Sequence, residues 1–518
     1  MRLYTAEEMG SADRAAQEMG ITGRILMERA GVGMATLALE RFSPRRAVAV
    51  CGGGNNGGDG FVVARELHRA GVEVEVVASK ETYRGDPEAN LRALRALGIR
   101  VVGPEGLEGV LSGAELVVDA LLGTGFSGEV REREAAMIRQ INASPAPVLA
   151  VDVPSGVDGS TGEVRGAAVR ADLTVCAHAI KVGCVVSPGR EHAGRVAVVD
   201  IGIPPGAEVE PSVVLNDAAS LAGLIPRTAE PAHKYSAGAL LVVAGSRAMT
   251  GAAVMTVAGA QRAGCGIVFL VTAAGAAPLL DARLTEAIVE GAPEDAAGHM
   301  GEEALDAVLG RAGRASAVVV GPGLGVGEGG RRLVEGILRE VEAPVLLDAD
   351  AITNLAGSGA LARREAPAVI TPHAGELGRI MGAGAREISA SRLRCAREAA
   401  RRHRCCVLLK GSDTIVVEGD RAAVNPTGHV ALATAGTGDV LSGVIGALLS
   451  RGVEPYDAAR AGAWAHGRAA RLWLEETGWP AESLIATDLL SHLPRAFAEL
   501  LGNSPEAEGP AAPGSGAG

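Results

Sequence analysis

Lysine is nearly absent from this chain: of 49 cationic side chains, only Lys80, Lys181, Lys234 and Lys410 are lysines. No run of Lys or Arg exceeds two, and the formal net charge is -12. A nucleic-acid binder presents a basic stripe, so that class is excluded. Aromatic residues make up 2%, so small aliphatic side chains must build the core and no stacking platform for single strands is available. The seven cysteines are odd in number and form no C-x-x-C, which argues against a zinc site or a disulfide framework and for a reducing, cytoplasmic setting. The N-terminus carries Glu7, Glu8 and Asp13 where a signal peptide is apolar. The longest uncharged stretch, 263–280, is about the minimum length for a membrane span. It holds Gly264, Gly266, Gly275 and Pro278 around GIVFLVT, so it reads as helix end, buried strand and turn.

Glycine is plentiful instead, with 72 residues, about twice the usual share, and no Gly-X-Y period. Short apolar runs alternate with amphipathic helical stretches, the pattern of βαβ units and a parallel sheet. In the first half the expected strands are 47–51, 74–78, 115–120, 148–153, 173–177 and 196–199, with helices at 60–70, 87–97 and 132–142. Prolines at 204, 205, 211, 226 and 231 mark a boundary. A second series follows with strands at 240–244, 267–272, 317–320, 345–348, 368–371, 407–410 and 414–417, closed by helices at 437–450, 457–474 and 482–501. The expectation is two α/β domains, 1–212 and 222–502, joined through 213–235, with a disordered Pro/Gly/Ala tail at 503–518.

Cys51–Gly60, CGGGNNGGDG, follows a buried strand and opens a helix. Its glycines let backbone approach a ligand, and the helix start offers free N–H groups to an anion. No GK[ST] follows, so it is not a Walker A loop. Gly123–Gly128, GTGFSG, matches GxGxxG but comes after several strands, with no acid about 20 residues on, which argues against a dinucleotide dehydrogenase. Asp119 and Asp152 end expected strands, and Ser155 follows in VDVPSG. Asn56, Asp119 and Ser155 on three such loops suit a hard monovalent or divalent cation, although each alone also suits a cap or turn.

In the second half, AGTGD (435–439) runs straight into VLSGVIGALLS. Gly436, Thr437 and Gly438 can aim amides at a transferring phosphoryl group, with Asp439 placed to take a proton from a hydroxyl. LKGSDT (409–414) offers Lys410 as a point charge for phosphate, or as half of a salt bridge. VVVGPGLG (318–325) ends a strand in a flexible loop, and ITPHAGE (370–376) carries His373, which reads either as a ligand to a substrate phosphate or hydroxyl or as a structural residue.

GGGNNGGDG, DALLGTG, VDVPSGVDG, AHAIKVG, LYTAEEMGSAD and LMERAG together resemble the epimerase domain of bifunctional NAD(P)H-hydrate repair enzymes over roughly 1–210. AGTGD, LKGSDT, ITPHAGE, HKYSAG, LDADA and NPTG resemble their dehydratase domain over roughly 220–500. The resemblance implies an N-terminal Rossmann-like three-layer α/β domain and a C-terminal ribokinase-like α/β domain. It implies that the first interconverts R and S hydrates of NADH or NADPH. The second uses ADP or ATP with Mg2+ to phosphorylate the hydrate hydroxyl, and loss of phosphate restores NAD(P)H. Carried over by motif, Asn55, Asn56, Gly57, Gly58, Asp59, Gly123, Thr124, Gly125, Phe126, Ser127, Gly128, Glu129 and Asp152 bind the hydrate in the epimerase domain. Asn56, Asp119 and Ser155 hold potassium. Ala253, Gly323, His373 and Asp439 contact the hydrate in the dehydratase domain. Lys410, Gly411, Ser412, Asp413, Thr414 and Gly438 bind the nucleotide beside Gly436 and Thr437. Lys181 matches a family lysine without an assigned role. Departures from the family pattern are Arg29, Tyr235, His429–Val430 and Ala435.

Asp152 is the candidate acid–base of epimerisation, or else a carboxylate that only orients substrate. Asp439 is the catalytic base of dehydration. A homo-oligomer is expected. The competing readings are a ribokinase-like vitamin-precursor kinase fused to a non-catalytic Rossmann-like binding module, and a first half turned scaffold for RNA or protein. The intact NNGGD, GTG and PSG set and the acidic charge argue against the scaffold.

Overall fold

The computed structural model describes residues 1–227 and 237–502. Lys234, Tyr235 and the rest of HKYS, and the expected tail at 503–518, lie outside the described residues. The chain divides into two compact units, one of Arg2–Val214 and one running, in the main, from Leu215 onward.

The first unit is built on a seven-stranded sheet in the order Arg100–Val102, Glu73–Ala78, Arg46–Cys51, Leu116–Ala120, Val148–Val151, Leu173–Ala177, Arg195–Val199, all parallel. Its central strands read as continuous Val/Ala/Leu runs because helices cover both faces. The strand order reverses between Arg46–Cys51 and Leu116–Ala120. Carboxyl ends of strands at such a reversal form the ligand crevice of an open α/β sheet.

The helix after Arg46–Cys51 is Asn55–Arg69, so it begins five residues earlier than the sequence pattern suggests. NNGGD is therefore the first turn of the helix, not a loop ahead of it. Glycine misled the reading because here it supplies space, not flexibility. A Cβ on Gly57 would lie 1.9 Å from the Gly52 carbonyl oxygen, and one on Gly60 would lie 2.4 Å from the Ala120 Cβ. The strand expected to reach residue 153 stops at Val151, because Asp152 takes φ +68.

The second unit orders its strands Ala287–Ala292, Ile267–Ala273, Ala239–Val243, Ala317–Val320, Val345–Leu347, Ala368–Ile370 and Cys406–Leu409, all parallel. Ile415–Glu418 and Arg421–Val424 follow as antiparallel additions. Ala287–Ala292 and Arg421–Val424 have no counterpart in the sequence reading: the first is largely half-exposed and the second opens on an exposed Arg, so neither shows a long apolar run. The reversal falls between Ala239–Val243 and Ala317–Val320. The last helix starts at Asp488, not Glu482: Ala481–Ser483 is a short 3-10 turn, and the Ile485 N–H is taken by the Asp488 carboxylate. Among the described residues no helix is long and apolar enough to cross a membrane.

Helices Thr250–Arg262 and Thr437–Ser450 meet almost backbone to backbone. A Cβ on Gly443 would sit 1.9 Å from the Thr256 carbonyl oxygen, and one on Gly259 would sit 2.5 Å from that of Val440. This contact seats the start of Thr437–Ser450. Gly443→Ala should therefore destabilise the second unit by about 3 kcal/mol, the upper range of overpacking costs. An unchanged midpoint of its urea transition would show that the two helices part freely.

Candidate active sites

In the first unit, a cavity of about 1040 Å³ opens at the strand-order reversal. Asn55, Asn56 and Asp59 reach it from the helix start, Gly123 to Ser127 and Glu129 from the next loop, and Asp152 from the third. Gly57, Gly58 and Gly128 do not line it. Gly57 faces the Gly52 carbonyl and Gly58 faces Met27, so they serve packing of the helix, while Gly128 turns the chain at φ +87.

Asp152 is the best-anchored polar group in the cavity. Its Oδ1 accepts from Lys181 Nζ at 2.5 Å and from the Ala177 N–H at 3.0 Å, and its Oδ2 accepts from the Thr124 hydroxyl. Lys181 is fully buried and also donates to the Ala177 and Ala179 carbonyls at 2.7 and 3.1 Å. Burial pulls the ammonium pKa down, but the charge and hydrogen bond of Asp152 together with the neighbouring Cys176 and Cys184 hold it above the usual lysine value. A non-glycine residue at φ +68 is strained, and here the strain delivers a carboxylate to the cavity wall.

Behind this pair, Asp119 is fully buried. Its Oδ1 accepts from the Ser155 hydroxyl at 2.6 Å and its Oδ2 from the Ser155 N–H at 2.8 Å. Burial pushes its pKa up to about 6 against those bonds. The Leu122 N–H donates to Ser155 Oγ at 2.7 Å, and the adjacent Gly123 lies against the Asn56 side chain. The Asn56 amide has a buried Nδ2 with no hydrogen-bond partner. The three expected cation ligands thus converge on one loop junction, with a buried amide left over. Arg29, a departure from the family pattern, packs its guanidinium over Gly202 beside the Ile201 carbonyl.

In the second unit, the loops that leave the carboxyl ends of successive strands carry the expected residues. Gly323, φ +63, follows Ala317–Val320, and His373 follows Ala368–Ile370. Lys410 follows Cys406–Leu409, and Asp439 lies in the first turn of Thr437–Ser450. Gly436 at φ +90 caps that helix, and a Cβ on Gly438 would lie 3.3 Å from Lys410 Nζ and 3.9 Å from Asp348 Oδ2. Lys410 donates to Asp348 Oδ1 at 2.5 Å. Asp348 is buried and also accepts from the hydroxyls of Thr371 at 2.8 Å and Ser442 at 2.7 Å. Burial pushes Asp439 up to about 6, Asp348 and Asp350 add to the rise, and Lys410 opposes it.

Residues Lys410–Thr414 form a closed turn in which the Thr414 N–H and hydroxyl both donate to the Gly411 carbonyl, at 3.1 and 2.7 Å. Asp413 is buried and Ser412 packs its backbone on Gly428. His373 caps its helix: Nδ1 accepts from the Gly375 N–H at 2.9 Å, which leaves any proton on Nε2, in an exposed ring. Ala253 is buried in the helix beneath Gly245 and does not reach solvent. Ala435 is exposed and precedes the amides, and His429 caps the short turn Val430–Leu432.

Sequence reasoning gave no role to four groups. Asp348 stood in LDADA without a role, and its partner Lys410 is 62 residues away. Lys181 meets Asp152 across 29 residues. His466, buried and pushed down to about 4 by burial, keeps an unpartnered Nε2 near Lys410 and Thr437. Asp13 lines the first cavity. One weak signal was present: Lys80 and Lys181 line the first cavity and Lys410 the second site, so every described lysine stands at a candidate site.

Both sites lie at the carboxyl ends of parallel strands beside a helix start, and each holds a carboxylate–lysine pair. They define a two-unit α/β enzyme of nucleotide substrates. A family model described as NAD(P)H-hydrate dehydratase matches residues 240–495, and one described as YjeF-related protein N-terminus matches 23–183. The chain is 38% identical to the bifunctional NAD(P)H-hydrate repair enzyme of Moorella thermoacetica over 96% of this chain and 97% of that one. It is 35% identical to that of Escherichia coli over 95% and 93%. An ADP/ATP-dependent NAD(P)H-hydrate dehydratase from Bacillus subtilis, co-crystallised with ATP and Mg2+, is 30% identical and covers 56% of this chain and 99% of its own, with a TM-score of 0.48. The chain belongs to the family of bifunctional NAD(P)H-hydrate repair enzymes, with an NAD(P)H-hydrate epimerase and an NAD(P)H-hydrate dehydratase on one chain.

Proposed function

We propose that residues 1–212 carry the epimerase and 222–502 the dehydratase, with Asp152 and Asp439 as their respective bases. The observation that carries the first assignment is the Asp152–Lys181 pair. A buried ammonium anchors the carboxylate on the wall of a cavity large enough for a nicotinamide nucleotide. The hydrated carbon bears a hydroxyl beside the ring nitrogen. When hydroxyl leaves, the nitrogen lone pair forms a planar iminium, and water returns to either face. Asp152 takes the proton of the returning water. Asn55, Asn56, Asp59, Gly123 to Ser127 and Glu129 position the nucleotide around that carbon.

In the second unit Asp439 accepts the hydroxyl proton of the S hydrate as its oxygen attacks the terminal phosphoryl group of ADP or ATP. The amides of Gly436, Thr437 and Gly438 and the Lys410 charge stabilise the phosphoryl oxygens. The phosphorylated carbon then expels phosphate as the ring nitrogen pushes, and the adjacent ring carbon gives up a proton to the released phosphate or to water, which closes the ring double bond and restores NAD(P)H. Hydroxide is a poor leaving group and phosphate a good one, which is why the nucleotide is needed. His373 and Gly323 border the hydrate, and the Lys410–Thr414 turn borders the nucleotide. Magnesium would supply charge neutralisation at the phosphates and would arrive with the nucleotide, since among the described residues no group of three acidic or histidine side chains stands ready to hold it. The vitamin-precursor kinase reading has no observation in its favour, since the full-length relatives are repair enzymes.

Potassium fits Asn56, Asp119 and Ser155. Read with its amide turned over, Asn56 places an unpartnered oxygen at the junction where Asp119 and Ser155 already gather oxygens. Asp119 has its pKa raised to about 6, so it is ionised above that pH and neutral below it. Stimulation of epimerisation by potassium should therefore fade as pH falls through about 6, and Asp119→Ala should remove it at all pH values. A potassium response of equal size at pH 5 and pH 8, or one that survives in Asp119→Ala, would remove the ion from this junction.

A further inference from the structure

We propose that Asp13 is the second catalytic residue of the epimerase site, the acid that gives a proton to the departing hydroxyl. The proposal rests on the epimerase reading of this cavity. Inversion through an iminium needs two proton-carrying groups: one to make the hydroxyl leave as water, one to take a proton from the water that returns. Asp152, fixed by the Lys181 ammonium, serves one of these tasks in each direction. The other group must come from elsewhere on the cavity wall.

Asp13 stands in the right place. It lines the cavity with Asp59, Asp152 and Lys181, and it comes from a different element, the helix Ala6–Glu18. That helix is fixed and not adrift. Thr5 and Glu8 close a capping box, the Ser160 hydroxyl accepts from the Ala6 N–H at 2.9 Å, and Glu8 Oε1 accepts from the Ser212 N–H at 2.7 Å. Nothing in the mechanism so far uses Asp13, whose carboxyl is near enough to Lys181 and Asp152 to feel both charges. Burial raises its proton affinity, Lys181 lowers it, and Asp152 raises it again, leaving it above the ordinary aspartate value. Burial, Asp152 and Asp13 raise the proton affinity of Asp59 and Lys181 opposes them.

The step balances. The Asp13 carboxyl proton passes to the hydroxyl oxygen, the C–O bond breaks to release water, and the ring nitrogen lone pair forms the C=N bond. Water adds to the opposite face and gives its proton to Asp152. Proton exchange with solvent resets both carboxyls, and the reverse direction runs with the roles exchanged.

The test uses the full chain with separately prepared R and S hydrates of NADH, the two epimers being resolved by chromatography with the uncatalysed rate subtracted. D13N should lower epimerisation kcat about 100-fold in both directions with KM within about twofold, and D13E should recover at least about a tenth of the activity. ADP-dependent dehydration of the S hydrate by the same preparations should be unchanged, which reports a folded chain. A D13N kcat within about threefold of the parent, while D152N is inactive, would overturn the proposal and leave the cavity's function standing. A raised KM at unchanged kcat would overturn it too, making Asp13 a binding group only. Parent-level epimerisation by both D13N and D152N would instead remove the epimerase reading beneath it.

Discussion

Asp439→Asn should lower nucleotide-dependent dehydration about 10³- to 10⁴-fold and leave R/S epimerisation at the parent rate. The substitution is nearly isosteric, so the helix start Gly436–Asp439 keeps its amides in place and the loss reports chemistry, not folding. What disappears is the group that accepts the hydroxyl proton. The same carboxyl predicts a pH profile. Burial, with Asp348 and Asp350, pushes Asp439 up to about 6 against Lys410, so the base is ionised above about 6 and protonated below. Dehydration should therefore fall off on the acid side with a midpoint near 6 and be flat into the neutral range. In Asp439→Asn that acid limb should vanish from the residual rate. Equal loss of dehydration and epimerisation would contradict two separate sites.

Asp152→Asn should show the reverse selectivity, losing epimerisation about 10³-fold while dehydration of the S hydrate persists. Asparagine tolerates a left-handed backbone as well as aspartate does, so φ +68 is no obstacle. The cost falls on Lys181. Its ammonium is fully buried and its one carboxylate partner is lost, while the two carbonyls that remain cannot neutralise it. Breaking a buried pair from one side costs about 3 to 5 kcal/mol, so the first unit should melt earlier while the second does not. A double change, Asp152→Asn with Lys181→Met, should recover stability but not epimerisation. Recovery of both would mean that the carboxylate serves structure alone.

Much of both sites could be read from local sequence, because their anion-facing parts are contiguous. AGTGD is an amide cradle and a carboxylate within five residues, and the helix behind it runs Thr437–Ser450 as its apolar run indicates. Strand-end acids such as Asp119 and Asp152 are visible because an apolar run stops at them. What local reading loses is pairing across the chain. Lys181 and Asp152, or Lys410 and Asp348, meet only when parallel strands bring their carboxyl ends together, and no spacing rule announces that. Asp13 escaped for another reason: one Asp on an amphipathic helix looks like solvent surface until the cavity beside it is seen. The glycines of NNGGD misled in the opposite direction, because their missing side chains serve helix packing against Gly52 and Met27 as much as ligand approach.

One measurement tests the central claim most directly. The purified chain is given the R and S hydrates of NADH with ADP or ATP and Mg2+, and NADH absorbance and free phosphate are followed together. NADH should return in step with phosphate release, with both epimers consumed by the parent chain and the S form alone by a chain carrying Asp152→Asn. Accumulation of a phosphorylated hydrate without NADH would mark a kinase that stops at transfer and would contradict the account.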